Sequence, residues 1–120
     1  MIAVMPQMRL LLAVKPVDFR KGIDGLVAVC RQELQAEPFG GALFIFASRN
    51  RHSIKILAYD GQGYWLCQKR LSRGRYNWWP TPGGEAVLPI QPHQLQLLLW
   101  NGDPTRALAA PLWRPVAPAG

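Results

Sequence analysis

Apolar residues in this chain recur at more than one spacing, and the changes of spacing divide it into elements. Residues 9–14, Arg-Leu-Leu-Leu-Ala-Val, carry an apolar run ended by Lys15 and Pro16, which predicts a short buried strand. Ile23, Leu26, Val27, Cys30 and Leu34 then follow at i, i+3, i+4, i+7 and i+11, the repeat of one helix face. Asp18 stands where a helix N-cap would, and Glu-Pro-Phe-Gly-Gly at 37–41 closes the helix. Gly22 and Gly25 weaken its first turn and offer room for another backbone to approach.

Strand-like segments come next. Residues 42–47 and 53–59 read as strands around a polar, basic turn at 48–52. Asp60-Gly61-Gln62-Gly63 is a hairpin signal, because Asp-Gly supplies the positive φ of a tight turn. Residues 64–71 form the next strand, 72–74 turn the chain again, and 75–79 suit a fifth short strand before Pro80. Residues 81–85 read as a loop. Pro92 fits the first position of a short helix, with Leu95, Leu98 and Leu99 as its apolar stripe and Gly102 as its stop. The expected fold is α+β: an antiparallel β-meander of four to five strands packed against an N-terminal helix, with a short C-terminal helix. Residues 1–104 would form one domain, and the Ala- and Pro-rich residues 105–120 a poorly ordered tail.

Composition agrees with one globular domain: 120 residues, 49% hydrophobic and 18% charged. The longest apolar run near the N-terminus, residues 10–14, is far short of the ~20 needed to span a bilayer and too short for an export signal. A cytoplasmic protein with no membrane partner is expected. Cys30 and Cys67 make no disulfide framework and read as reduced core cysteines.

Charge changes the picture more. The chain carries 14 Lys and Arg against 7 Asp and Glu, a net charge of +7. Arg49, Arg51, Lys55, Lys69, Arg70, Arg73 and Arg75 lie between residues 49 and 75, with Asp60 the one acid there. The excess is thus concentrated in under a quarter of the chain, which points to a binding surface for a polyanion. Phe44, Phe46, Tyr59, Tyr64, Trp65, Tyr76, Trp78 and Trp79 fall in the same region. Most suit the core of a sheet, with Trp78 or Trp79 as surface candidates for stacking. Arg20 and Lys21, near the start of the first helix, are a candidate phosphate clamp. The alternative is a solvated pair, or Arg20 bridging a neighbour such as Asp24.

Catalytic chemistry is hard to find. No two carboxylates are spaced as an acid and base. Cys30, His52, Cys67 and His93 match no zinc pattern, Gly61-Gln62-Gly63 lacks the rest of a phosphate loop, and Cys67 has no orienting partner as a nucleophile. No enzyme, metal or cofactor is expected.

Asp-Phe-Arg-Lys-Gly-Ile-Asp-Gly-Leu at 18–26 resembles the opening motif of TnpB-type accessory proteins of the IS-sixty-six family of bacterial insertion sequences. Residues 38–46, residues 54–63, Lys-Arg-Leu-Ser-Arg-Gly-Arg-Tyr at 69–76 with Trp79-Pro80, and Pro92 with its leucines resemble the family's later blocks in order. The resemblance covers residues 8 to about 103. Residues 76–80 run one residue longer than is usual in the family, His52 stands where an acid is common, and Gln91 replaces a capping Thr. The resemblance implies a small accessory factor that assists a separate DDE transposase, with the DNA of insertion-sequence ends as a partner. Either the basic hairpins contact DNA directly, or the chain is an interaction module docking on the transposase. Strand alternation sends Lys69 and Arg70 to opposite faces, whereas turns escape that limit. Meander order then predicts one positive sheet end with Arg49, Arg51, Arg73 and Arg75, and a neutral or acidic end at Asp60.

Overall fold

Leu10–Ala13 (β1) is the strand that the first apolar run predicts, and all four residues are buried. In the computed structural model, which describes residues 9–103, this strand lies inside a five-stranded sheet. Its neighbours are Leu43–Ala47 (β2) and Val87–Ile90 (β5). Ser53–Tyr59 (β3) and Tyr64–Arg70 (β4) complete the order β4-β3-β2-β1-β5. The run expected from residue 105 onward lies outside the described residues.

The β2-β3-β4 meander forms as predicted, antiparallel throughout. The sheet as a whole is mixed. β1 runs parallel to β2, with Leu10 opposite Leu43, and the chain between them crosses over through the helix Ile23–Gln32 (α1). A parallel pair needs such a crossover, and it leaves both strands covered on two faces, hence their unbroken apolar runs.

Alternation divides the core in two. Leu11, Ala13, Phe44, Phe46 and Leu57 cluster with Leu26, Val27 and Cys30 of α1. Leu10, Leu12, Ile45, Ile54 and Ala58 cluster with Leu95 and Leu98 of the second helix, Pro92–Leu99 (α2), and with Tyr76. Each sheet face thus buries one helix stripe.

Several expectations are corrected. Residues 75–79 form no strand. Tyr76 is 1% exposed in the α2-side core, and its backbone N–H donates to the Arg51 carbonyl at 2.8 Å. The fifth strand is β5 instead, at the edge beside β1, where Pro89 needs no ladder partner on its outer side. Trp78 and Trp79 are half-buried against the same core, and Trp79 Nε1 donates to the Ala13 carbonyl at 3.1 Å. Among the described residues, the exposed aromatics are Phe39, Trp65 and Trp100.

Asp18 is not the helix cap. α1 starts after Gly22, which has no side chain to cap with, and the Asp18 carboxylate accepts from Arg20 instead. Gly25 admits no foreign backbone: a Cβ there would meet Lys21 Cβ at 3.0 Å, and Gly22 faces open space. α2 ends at Leu99, three residues before the predicted stop at Gly102. Asn101 takes the left-handed conformation (φ 67°), and the N–H groups of Asn101 and Gly102 close on the carbonyls of Leu98 and Leu97. Cys30 is buried as expected, whereas Cys67 is half-exposed on β4.

Candidate nucleic-acid interface

Because β1 and β2 are parallel, both chains leave the sheet at the same end. The loop after β1 stays there, with Val17 bridging Ser48 and its N–H bonded to the Ala47 carbonyl at 3.0 Å. The 48–52 turn follows β2, and the chain returns to this end after β4. Two backbone bonds tie the returning segment to the turn: Leu71 N–H to the His52 carbonyl at 2.9 Å, and Tyr76 N–H to the Arg51 carbonyl.

The turn is held from within. Asn50 Oδ1 accepts from Ser48 Oγ at 2.8 Å and from the His52 N–H at 3.0 Å. Arg51 sits at φ 59°, a left-handed conformation that a non-glycine residue adopts only when its surroundings enforce it. His52 Nδ1 lies 2.8 Å from the Gly74 carbonyl. A carbonyl only accepts, so Nδ1 carries a proton and donates to it, which leaves Nε2 as the ring nitrogen outside this bond.

Seven of the nine predicted basic residues gather around this end: Arg20 and Lys21 from the crossover, Arg49 and Arg51 from the first turn, and Arg70, Arg73 and Arg75 from β4 and the segment after it. Arg20 pairs bidentately with Asp18 rather than bridging Asp24, Nη2 to Oδ2 being 2.7 Å, yet its side chain remains 90% exposed. The Arg20 guanidinium, then its backbone N–H, hold the Asp18 carboxyl well below the usual carboxylate range, and nearby Arg49 adds a smaller pull. The Val17–Ser48 bridge brings the crossover against the first turn.

The other two are engaged elsewhere. Lys55 is buried at 7% exposure. Its ammonium donates to the Phe19 and Lys21 carbonyls, each at 2.9 Å, and lies 4.8 Å from the centre of the Phe19 ring. It pins the crossover loop to the sheet. Lys69 projects to the α2 side and donates to the Leu99 carbonyl, at the negative end of the α2 dipole. Arg70 projects to the α1 side, so the expected opposition of these neighbours is present.

At the opposite end lies the Asp60 hairpin, and there Arg31 and Glu37 pair at 3.0 Å. Asp60 accepts from the N–H groups of Gln62 and Gly63 and from Trp65 Nε1 at 2.8 to 2.9 Å. Those donors, the Gln62 N–H foremost, lower its pKa.

Residues that the sequence does not single out as DNA contacts line a cleft of 470 Å³ between the two turns: Phe19, Asn50, His52 and Gln68, beside Arg70 and Arg73. A trace of it was present in the sequence, where Asn50 and His52 alternate with the turn arginines. Among the described residues no group of three His, Cys, Asp or Glu is placed to hold a metal ion, and no helix is long and apolar enough to cross a membrane.

Fold and site together define a small, basic α+β protein with seven basic residues around one sheet end. The chain belongs to the IS66 Orf2-like protein family, whose model matches residues 8–108. It is similar to two proteins of Sinorhizobium fredii (strain NBRC 101917 / NGR234). The uncharacterized protein y4jC is 34% identical over 108 residues, 90% of this chain and 91% of that one. The uncharacterized protein y4hO is 37% identical over 95 residues, 79% and 81% of the two chains. No solved structure gives a significant match. Membership makes this a transposition-associated accessory protein of an insertion sequence.

Proposed function

We propose that the protein is a non-catalytic factor that binds DNA through its basic sheet end and assists the separate DDE transposase of its element. The observation that carries this reading is the convergence of Arg20, Lys21, Arg49, Arg51, Arg70, Arg73 and Arg75 from three chain segments at one end of the sheet. Guanidinium groups on two adjoining turns suit phosphate oxygens, which give affinity and register with little dependence on sequence.

Salt titration tests it. Removing one phosphate-binding arginine lowers the slope of log affinity against log salt by about one unit. The Arg49→Ala, Arg51→Ala, Arg73→Ala triple variant should therefore bind a duplex with a slope lower by about two to three units, with an unchanged melt. Equal slopes would sink DNA contact and leave the second reading, a module that docks on the transposase. The exposure of Phe39 at 53%, Trp65 at 45% and Trp100 at 73% favours that alternative, because exposed aromatics are common anchors of protein interfaces.

A further inference from the structure

We infer that the cleft between the two turns receives one unpaired nucleotide, so that the basic end prefers DNA carrying a single-stranded end over a continuous duplex. This rests on the DNA-binding reading and names the form of DNA that it takes. Three observations lead there.

The first is charge. The cleft lining contains no carboxylate, and Arg70 and Arg73 stand in it. Of two other clefts of similar size, 420 Å³ each, one sets Asp24 beside Arg31 and the other sets Glu33 and Glu85 beside Lys15, so neither offers a phosphate an uncancelled positive charge.

The second is the mixture of surfaces. Phe19 brings an aromatic ring, with the Lys55 ammonium against it, to a lining that is polar apart from Leu71 and Gly74. Gln68, exposed on the edge strand, brings an amide with two donors and an acceptor, and His52 brings Nε2. A flat apolar face beside neutral donors and acceptors suits a nucleobase, which stacks through its π-face and bonds through its edge. The arginines suit the phosphate attached to it.

The third is shape. A volume of 470 Å³ falls in the range of small-ligand sites, about 300–1,000 Å³. The site is recessed between turns. A base stacked inside a duplex cannot enter a recess, whereas an unpaired one pays no unpairing cost to do so.

The test compares a blunt duplex with the same duplex bearing a short 3′ overhang of mixed sequence, by fluorescence anisotropy at low salt. The parent protein should bind the overhang about fivefold or more tightly, the lower end of what one base–aromatic stack provides. Phe19→Leu, which removes the ring but keeps apolar bulk, should abolish the preference while blunt-duplex affinity stays as it was. Gln68→Ala, on an exposed edge position with no effect expected on folding, should reduce the same preference. Equal parental affinity for both duplexes, or a preference that survives Gln68→Ala and a folded Phe19→Leu, overturns the inference and leaves duplex binding standing. Failure to bind either DNA overturns both.

Discussion

Lys55 shows how one residue's chemistry depends on where the chain takes it. In sequence it is one cation in a basic segment. In the structure it sits on the α1 face between Phe46 and Gln68, beneath the loop that precedes α1. Its two carbonyl partners would have no replacement donor from an apolar side chain. Lys55→Met should therefore destabilise the protein by about 1–3 kcal/mol, read as a lower urea midpoint. The salt slope of duplex binding should not change. A lower slope with full stability would instead make Lys55 a phosphate contact. Strand alternation in the sequence does set Lys55 apart from Ile54 and Ile56, but nothing local announces that the Phe19–Lys21 loop lies above it. The two carbonyls are 36 and 34 residues away along the chain, and interactions at such separations leave no mark on periodicity. The same reason hid the cleft, whose Phe19 comes from one loop and Gln68 from a distant strand.

At the scale of elements, what local chemistry decides was legible. The β3–β4 hairpin is one case. Gly61 has φ 93° and open space around a hypothetical Cβ, so a side chain there meets backbone strain and no clash. Gly61→Val should cost about 1–3 kcal/mol in thermal or urea unfolding, and an unchanged melt would remove the turn's conformational requirement. Both helices were also visible, from their 3.6-residue stripes. What local chemistry does not decide was misread. Residues 75–79 have the aromatic content of a strand, yet Tyr76 and Trp79 serve as core plugs on a looping segment, because their rings fill space over the α2-side face. β5 was missed because Val-Leu-Pro-Ile is short and holds a proline, a sequence that only an edge position tolerates. The parallel pairing of β1 with β2 depends on a crossover, and neither strand's sequence states its partner.

At the scale of the whole molecule, the distribution of charge links stability to pH. Asp18, Glu37 and Asp60 all have pKa values lowered by donors in the folded state: Arg20, Arg31 and the turn N–H groups after Asp60. A depressed carboxylate contributes stability that is present above its unfolded pKa, about 4, and is lost as pH falls through the folded value. The protein should therefore hold a plateau of stability above about pH 5 and lose it progressively below about pH 4. Asp60→Asn should flatten part of that acid limb in urea midpoints taken across pH, and an identical limb would mean that Asp60 titrates alike in both states. The central place of β1 has a consequence of a different kind. Leu10 pairs with Ile90 on one side and with Leu43 on the other. A ribosome adding roughly 5–20 residues per second releases the first strand about 4–16 s before its last neighbour. Throughout that interval the nascent chain carries its most apolar strand with one flank unclaimed. The order of synthesis thus makes the emergence of β5, rather than the formation of the meander, the event that closes this sheet.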